Sequence, residues 1–456
     1  MKSVDERYYD DHPGSFRLAG GGRRAFPDGA THDSRWITPF PLYMTHSEGA
    51  YKWDVDGNRY IDYVVGHGAI VLGHSYPAIV EAVREQMGRG THVGGATEQE
   101  IRWAEIVNKL VPCSEKVRFH SSGTEADLMA FRLVRAYTGR NKILKFHHHF
   151  HGWSDYVVLS PKGEAAGVPQ GTAGTVVQVA PEIGEVERAL ENDRDIAAVI
   201  VEPTGAIGGL LPITPGFLRR LREVTRDKGV LLIFDEVITG FRASLGGVQQ
   251  RYGITPDLST HAKILAGGLP GAAVVGKAEI LDMIQHRGDP EWDARRRVAH
   301  PGTFNANPLS AVAGAACLEI LDREPVNERV EAVNEQLRSG LQGVLDRLGI
   351  PGLAYGLASG LFVALGVEGE WDEANGCTVP HEQLKAANDP TRAGVLRKAL
   401  LNEGVDTQGG VSWRMTAAHT DEDVDFTVEA YERALRALIR EGWPVSGVAA
   451  AETAAR

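Results

Sequence analysis

Three short apolar runs, set among amphipathic segments, constrain the fold of this chain most strongly. The runs span residues 196–203 (IAAVIVEP), 229–237 (GVLLIFDEV) and 272–276 (AAVVG), and they are rich in β-branched side chains. A short run that is apolar on both faces is typical of a parallel strand buried between helices. We therefore predict an α/β fold with a mostly parallel central sheet flanked by helices.

The segments around these runs have the spacing of helices. Apolar residues recur at helical spacing over residues 100–111, 127–139, 326–349 and 423–441. Residues 54–58 (DVDGN) carry a turn signal between short strand-like pieces. The pattern predicts alternating strands and helices in the middle of the chain, with further helices near its end.

Composition excludes some classes of function. The chain has 456 residues, a net charge of −12 and 24% charged residues. An acidic balance argues against a surface of clustered lysines and arginines that would neutralise nucleic-acid phosphates. The stretch MKSVDERYYDDHPG is too polar for a signal peptide, and no apolar run reaches the roughly 18 residues of a membrane span. We therefore expect no nucleic-acid or membrane partner.

The cysteines bear on the cellular compartment. Cys113, Cys317 and Cys377 are odd in number, far apart, and form no CxxC motif. This pattern is typical of free thiols in a reducing environment. It favours a cytoplasmic protein.

The segment FHSSGTEADLMAFRL (119–133) runs from an apolar strand end into a helix. Ser122, Gly123 and Thr124 stand at the helix start, where free N–H groups and the positive end of the helix dipole attract anions. Such residues are also common as ordinary helix caps. Taken alone, the segment leaves anion binding and simple capping open.

Two charged residues stand out because their surroundings are apolar. Asp235 follows the run LLIF, and a buried carboxylate needs a partner, whether a metal ion, a protonated ring nitrogen or an arginine such as Arg242. Lys263 lies in an otherwise uncharged stretch around AKILAGG, where its amine could serve as a nucleophile. A solvated surface lysine is the alternative.

These three features together match the needs of one cofactor, pyridoxal 5′-phosphate (PLP). Its phosphate binds a helix N-terminus, its protonated ring nitrogen pairs with an aspartate, and its aldehyde forms a Schiff base with a lysine. Each feature lies where a strand meets a helix, and ligands of parallel sheets bind at the carboxyl ends of strands. The sequence therefore predicts a PLP-dependent enzyme.

An ordered set of motifs carries a family resemblance over roughly residues 15–440. The motifs are EGAYKWDVDGNRYIDY, LGHSYP, SSGTEA, FHG, VEP, LLIFDEVITGFR, AKILAGGLPGAAVVG and HPGTFNANPLS. The chain resembles the class III (fold type I) PLP-dependent aminotransferases, within them the glutamate-1-semialdehyde aminomutases and their β-amino acid and ω-transaminase relatives. The resemblance implies a large PLP-binding domain over 70–320. It also implies a smaller α+β domain formed by 1–69, with a substrate loop, and 321–456.

The resemblance implies roles for single residues. Lys263 matches the lysine that forms the Schiff base and shuttles a proton between substrate and cofactor. Asp235 matches the carboxylate that pairs with the ring nitrogen, and Val237 matches a residue that packs on the ring. The run Ser122–Thr124 matches the phosphate-binding residues.

Two further matches concern the surroundings of the cofactor. Glu202, in VEP, matches a carboxylate on the side of the cofactor's hydroxyl group. Thr303, in GTFNANP, matches a residue that reaches the phosphate of the neighbouring subunit's cofactor. The resemblance therefore implies a homodimer with shared active sites. It also implies that the region 163–174 forms a loop that closes over the site.

The run KFHHHFHG (145–152) holds four histidines. By the resemblance, Phe150 stacks on the pyridine ring and His151 beside it helps to position the cofactor. The three histidines of 147–149 match no family role, and we expect them in a solvated turn. We predict no metal site, because no carboxylate stands at a motif spacing that would complete one.

Substrate choice depends on residues outside this shared machinery. Arg35, in THDSR, is placed like the arginine that binds the substrate carboxylate in the aminomutases, although a surface arginine is the alternative. His67 stands between Gly66 and Gly68 where the aminomutases typically have Ser-Trp-Gly. Both segments depart from the aminomutase pattern in the region that would line the substrate pocket. His67 is therefore the second candidate substrate-binding residue.

We therefore predict an intermolecular aminotransferase. It would take the amino group from a carboxylate-bearing amino acid, such as a β-aryl-β-alanine, or from an amine, and pass it to a keto acid such as 2-oxoglutarate or pyruvate. The alternative is glutamate-1-semialdehyde 2,1-aminomutase. A third hypothesis, a PLP-binding regulator or structural partner, is disfavoured by the joint presence of Lys263 and Asp235.

Overall fold

The computed structural model describes residues 2–158, 160 and 165–445. The chain divides into two compact units. The first comprises Met1–Tyr76, Glu328–Asp372 and Cys377–Arg456, and the second comprises Pro77–Asn327 and Glu373–Gly376. The predicted domain boundaries at 69/70 and 320/321 stay a prediction, because compactness alone does not define a domain that folds independently.

The strands of the described residues are given in chain order. They are β1 Met44–Glu48, β2 Tyr51–Asp54, β3 Arg59–Asp62, β4 Lys116–His120, β5 Lys142–Phe146, β6 Val176–Val179, β7 Ile196–Val201, β8 Leu211–Pro212, β9 Leu231–Asp235, β10 Leu258–Ala262, β11 Ala272–Gly276, β12 Gly352–Tyr355, β13 Gly360–Leu365, β14 Trp371–Asp372, β15 Gly376–Cys377, β16 Val405–Asp406 and β17 Ser412–Arg414. The two longest, β7 and β13, are buried throughout.

The α-helices of the described residues follow in the same way. They are α1 Val4–Asp11, α2 Pro13–Ala25, α3 Val65–Gly68, α4 Pro77–Arg89, α5 Glu98–Leu110, α6 Gly123–Thr138, α7 Gln170–Ala173, α8 Ile183–Asn192, α9 Ala206–Gly209, α10 Pro215–Asp227, α11 Gly247–Tyr252, α12 Ala278–Leu281, α13 Pro308–Arg323, α14 Val326–Leu348, α15 His381–Ala387, α16 Pro390–Asn402 and α17 Asp421–Arg440. Single turns of tighter or wider helix are Pro27–Gly29, Asp33–Arg35, Lys263–Ala266, Asp282–Ile284 and Trp292–Arg296. The four helices predicted from periodicity correspond to α5, α6, α14 and α17, so these predictions are confirmed.

Seven strands form the central sheet of the second unit, in the order β4-β11-β10-β9-β7-β5-β6. The five strands β10, β9, β7, β5 and β6 run parallel to one another. The predicted mostly parallel sheet is therefore confirmed. Because parallel strands end at a common edge, the residues that follow β5, β7, β9 and β10 lie along one edge of the sheet.

The run 272–276 is a strand, but the expectation that it runs parallel is wrong. It forms β11, which pairs antiparallel with both β10 and β4. The connection from β10 to β11 spans only 263–271. A parallel crossover needs about a dozen residues or more, so a short connection returns the chain in the opposite direction.

The first unit contains two smaller sheets. One has the order β1-β2-β3-β16, in which β3 and β16 pair parallel and the other pairs are antiparallel. The other is the antiparallel sheet β12-β13-β17. Segments from both ends of the chain thus contribute to one unit.

The glycine-rich start of the chain is helical, which the sequence pattern did not predict. Ser3 and Glu6 form a capping box at the start of α1, and Pro13 occupies the first turn of α2. Gly22 in α2 lies so close to Tyr43 that a Cβ there would overlap the ring hydroxyl. Close packing therefore outweighs the low helix propensity of glycine here.

The structure also bears on compartment and membrane. Of the helices that it describes, none is both long and apolar enough to cross a bilayer. Cys113 and Cys317 are buried and Cys377 is half-buried, each as a free thiol. The cytoplasmic location stays a prediction.

Candidate active site

Two of the predicted residues stand at the ends of neighbouring strands. Asp235 is the last residue of β9, and Lys263 follows β10 directly. In the parallel register of these strands, Thr260 lies opposite Asp235. Lys263 is half-buried and has a φ of 56°, a left-handed backbone conformation that is uncommon for a residue with a side chain. Both side chains therefore start from the same sheet edge.

Asp235 is buried and paired. Its Oδ2 lies 2.7 Å from Nδ1 of His151, and its Oδ1 accepts a 3.0 Å hydrogen bond from the N–H of Val237. Burial raises the pKa of Asp235 to about 7, while the Val237 N–H and the charge of Lys263 act in the opposite direction. His151 is a partner that the sequence pattern did not predict for this carboxylate.

His151 is fully buried behind Asp235. Burial, and next the charge of Lys145, hold the pKa of His151 well below its usual range, so the imidazole is neutral. Since a carboxylate oxygen can only accept, we assign the ring hydrogen to Nδ1. Nε2 of His151 has no hydrogen-bond partner among the described residues. A lone pair is therefore left inside the site.

Glu202 follows β7 and ties together two loops. Its Oε1 accepts hydrogen bonds from the N–H groups of Phe150 at 2.7 Å and Ile207 at 3.0 Å, and its Oε2 accepts one from Gly208 at 2.9 Å. Burial and the charge of Asp235 raise the pKa of Glu202 to about 8, against these three donors. The loop after β5 is thus fixed by a carboxyl group from the loop after β7.

The expectation that residues 147–149 form a solvated turn is wrong for His149. His149 is buried, and its Nδ1 accepts a 3.0 Å hydrogen bond from the N–H of Glu202. Its ring lies 6.0 Å from that of His151. Sequence alone could not place it, because the partner is contributed by a different strand end. The prediction of no metal site stays a prediction.

The start of α6 is both capped and packed against this edge. The Ser122 hydroxyl accepts from the Glu125 N–H, and the Glu125 carboxylate accepts from the Ser122 N–H in return. A helix start still leaves the N–H groups of its first turn outside the helical hydrogen bonds. A Cβ at Gly123 would lie 3.0 Å from Val237, and one at Gly152 would lie 2.5 Å from the Thr124 hydroxyl. Small residues therefore let the helix start, the end of β9 and the loop after β5 approach closely.

Asp127 belongs to this cluster, although the sequence analysis did not single it out. It is buried in α6, and its Oδ1 accepts a 2.7 Å hydrogen bond from the Thr260 hydroxyl. One polar atom each of Asp127, His151 and Asp235 lies within 4.8 Å of the other two. One feature of the sequence could have identified Asp127. It is an acidic residue inside the apolar stretch ADLMAF, whose other residues lie mostly on the buried face of α6.

Phe150, Val237 and Thr303 are the other predicted cofactor residues. Phe150 is 59% exposed, and Val237 is half-buried. Thr303 lines a cavity of about 820 Å³, where its carbonyl oxygen lies 2.6 Å from Nε2 of His92. Of the predicted loop 163–174, residues 163 and 164 lie outside the described residues, and Gln170–Ala173 forms α7.

Arg35 and His67 belong to the first unit and line one cavity of about 420 Å³. Nδ1 of His67 lies 3.3 Å from the Ser34 hydroxyl, and its ring stacks on that of His32 at 4.7 Å. The Arg35 guanidinium donates to the Thr31 hydroxyl at 3.2 Å. The structure thus brings the two predicted substrate residues into the same cavity wall.

Comparison with known proteins agrees with this geometry. A glutamate-1-semialdehyde 2,1-aminomutase of Methanopyrus kandleri is 38% identical over 445 residues, which is 94% of this chain and 99% of that protein. An ω-transaminase from Sphaerobacter thermophilus has a similar solved structure, with a TM-score of 0.84 and 33% identity over 94% of this chain and 98% of that one. A β-phenylalanine aminotransferase from Variovorax paradoxus gives a TM-score of 0.81 and 30% identity over 96% and 97%.

The family model for class III aminotransferases matches residues 33–370, well over half of the chain. That match includes the strand ends that carry Asp235 and Lys263 and the start of α6. The chain therefore belongs to the class III aminotransferases, which are PLP-dependent enzymes of fold type I.

Proposed function

We propose that the cluster around Asp235 and Lys263 holds PLP and that the chain uses it to move an amino group on a carboxylate-bearing substrate. The main support is the position of these two residues at the ends of β9 and β10. The residues present also fit the cofactor. A Cβ at Gly123 would lie 3.0 Å from Val237, so the glycine lets the helix start lie against the residue that would pack on the ring, and Nε2 of His151 is a buried polar atom without a partner among the described residues.

Each part of the cofactor has a proposed partner. The N–H groups of Ser122–Thr124 bind the phosphate at the start of α6. Asp235 faces the ring nitrogen, and Val237 and Phe150 lie against the two faces of the ring. When bound, PLP draws electrons away from the substrate carbon that carries the amino group.

The protein's own groups move and hold the protons. With the cofactor bound, the Lys263 amine would take the proton from the substrate carbon that carries the amino group and would deliver it to the cofactor carbon that had carried the aldehyde. Asp235, as a carboxylate, keeps a proton on the ring nitrogen that it faces. His151 donates its Nδ1–H to Asp235, and this hydrogen bond at 2.7 Å holds the carboxylate in orientation.

Glu202 has a positioning role in this proposal. Its carboxyl group holds the Phe150 N–H at 2.7 Å and also the N–H groups of Ile207 and Gly208. We infer that it fixes the loop that carries the ring-stacking phenylalanine, on the side of the cofactor's hydroxyl group. This role is independent of any direct contact with substrate.

The substrate's carboxylate would be bound in the first unit. Arg35 has the planar guanidinium that suits a carboxylate, and His67 lines the same cavity. Lys52 and Arg397 also line it, but they pair with Asp62 and Asp406 in the same wall. Arg35 therefore supports a substrate that carries a carboxylate over a simple amine.

We infer that two copies of the chain form a homodimer with shared sites. Thr303 would reach the phosphate of the partner's cofactor. Val93 and Ile101 line the same cavity as Thr303, and Phe304 follows it in sequence; these large apolar side chains are more than half exposed, at 54%, 59% and 61%. Exposed apolar groups that cluster in this way mark a protein interface.

The relatives support the aminomutase as the leading reaction. The Methanopyrus kandleri protein, at 38% identity over nearly its whole length, carries that name. This ranking reverses the prediction from sequence, which put an intermolecular aminotransferase first. The enzyme would move the amino group within glutamate-1-semialdehyde to give 5-aminolevulinate, with no second substrate.

The intermolecular aminotransferase remains the second candidate. His67 stands where the aminomutases have a tryptophan, and the solved transaminases of Sphaerobacter thermophilus and Variovorax paradoxus resemble this chain in fold and sequence. The donor would be a β-amino acid and the acceptor 2-oxoglutarate or pyruvate.

The need for an acceptor separates the two reactions. The purified enzyme is incubated with glutamate-1-semialdehyde alone, and separately with β-phenylalanine and each keto acid. The leading proposal expects 5-aminolevulinate from the first mixture. If amino transfer occurs only when a keto acid is present, the aminomutase proposal is wrong and the second candidate replaces it.

A further inference from the structure

We propose that Asp127 is a positioning residue that holds the one proton shared by the buried pair Asp127 and Asp235, which leaves Asp235 free to carry the negative charge opposite the cofactor's ring nitrogen. The proposal deepens the proposed function and rests on the assignment of Asp235 to that nitrogen. It concerns the protonation of two side chains of this chain, so it can be tested without measuring the reaction.

The geometry brings like charges together. One polar atom each of Asp127, Asp235 and His151 lies within 4.8 Å of the other two, and all three side chains are at least 95% buried. Two carboxylates this close in a buried site cannot both ionise without strong repulsion. One of the two must therefore keep its proton.

The surrounding groups do not neutralise a second carboxylate. Glu202 adds a third carboxyl group after β7, Lys263 supplies a cation after β10, and His151 after β5 is neutral. Strand β11, which also packs on α6, contributes only the uncharged run AAVVG. The charge of Lys263 acts on both Asp127 and Asp235, while the charge of Lys145 on β5 acts on Glu202 and His151, so the two aspartates share one cation.

Hydrogen-bond donors decide which acid is neutral. Asp235 accepts from the Val237 N–H and pairs with His151, while Glu202 accepts from three backbone N–H groups. The described residues give Asp127 a single donor, the Thr260 hydroxyl. Each donor stabilises the ionised form of a carboxyl group, so Asp127 has the weakest support for ionisation. In agreement, burial and the charge of Asp235 raise the pKa of Asp127 well above its usual range.

Thr260 connects Asp127 to the sheet edge that carries Asp235. It lies opposite Asp235 in the register of β9 and β10, and its hydroxyl donates to Oδ1 of Asp127 at 2.7 Å. In the neutral acid, Oδ1 is then the carbonyl oxygen and the proton resides on Oδ2. The hydroxyl therefore fixes which oxygen of Asp127 carries the proton.

Infrared difference spectroscopy of the holoenzyme tests the proposal. A neutral carboxylic acid has a C=O stretching band that a carboxylate lacks. Spectra are compared at neutral pH for the wild type, Asp127→Asn and Thr260→Val. We expect the Asp127→Asn variant to lose one such band, and Thr260→Val to shift that same band to higher wavenumber because the carbonyl oxygen loses its hydrogen bond.

Asp257→Asn is the matched control. Asp257 is also a buried aspartate, but Arg222 and Lys277 lie 2.7 Å from its oxygens. This variant should keep the band, because it removes a group that is already ionised. If Asp127→Asn retains every acid band of the wild type, the proposal is overturned. The bands do not depend on which amino group is transferred, so a failure of the proposed reaction is distinguishable.

Discussion

At the scale of residues, Asp127 and Asp257 are two buried aspartates with opposite behaviour. Burial raises the pKa of Asp127, and the charge of Asp235 raises it further. Burial alone would also raise the pKa of Asp257, but hydrogen bonds from Arg222 and Lys277 outweigh it and lower the pKa. A group with a raised pKa binds its proton more tightly in the folded state, so the stability it provides is lost as pH rises. A group with a lowered pKa binds its proton less tightly in the folded state, so the stability it provides is lost as pH falls.

The raised pKa of Asp127 predicts how the stability of an Asp127→Asn variant depends on pH. Between pH 5 and 8, the urea midpoint of Asp127→Asn should rise relative to that of the wild type, because the variant no longer has a proton to lose. The free energy of unfolding can change by at most about 1.4 kcal/mol per pH unit for one proton. Urea titrations of the cofactor-free proteins at several pH values measure the difference. A difference that stays constant with pH, or falls, would contradict a protonated Asp127.

At the scale of elements, Lys52 joins three strands of the first unit. It lies on β2, and its Nζ is 2.7 Å from both Asp62 at the end of β3 and Asp406 at the end of β16. The Arg397 guanidinium also contacts Asp406, at 3.0 Å. Without the lysine, two buried carboxylates would face each other across the β3–β16 pair.

Replacement of Lys52 by methionine should therefore be costly. Removal of one member of a buried ion pair destabilises a protein by about 3–5 kcal/mol. Arg89→Met is the control, because Arg89 and Glu85 form an exposed pair on α4. Such exposed pairs contribute about 0–1 kcal/mol. Thermal unfolding measures the loss of stability in both variants. If the two variants lost similar stability, Lys52 would have no special structural role.

Local patterns predicted many elements because the information is local. The apolar runs gave β7 and β9, and helical spacing gave α5, α6, α14 and α17, since each pattern lies within the segment that it describes. The positions of Asp235 and Lys263 at neighbouring strand ends follow from the same pattern and the rule for parallel sheets.

The features that were missed depend on contacts between distant segments. The direction of β11 depends on its pairing with β10 and β4. His149 is buried because the Glu202 N–H donates to it from another strand end. Asp127 joins the site through Thr260, a residue more than a hundred positions away in sequence. One amino-acid sequence by itself does not show which distant segments contact each other.

At the scale of the whole molecule, the proposed dimer predicts complementation. Lys263→Ala removes the amine from one site, and Thr303→Glu puts a negative charge beside the phosphate of the partner's site. Each variant alone should be nearly inactive. A co-expressed mixture should recover roughly a quarter of the wild-type activity, since half of the dimers are mixed and each mixed dimer has one intact site. A mixture as inactive as its parents would mean that both residues serve the same chain's site.

The most direct test of the account asks which lysine carries the cofactor. Lys145 is a real competitor, since it is buried and burial lowers its pKa to about 8, which also makes an amine nucleophilic. The holoenzyme is reduced with sodium borohydride, digested, and its peptides are weighed by mass spectrometry. We expect to find the pyridoxal phosphate mass on the peptide that contains Lys263. Finding it on the Lys145 peptide, or on no lysine, would contradict the assignment of the active site.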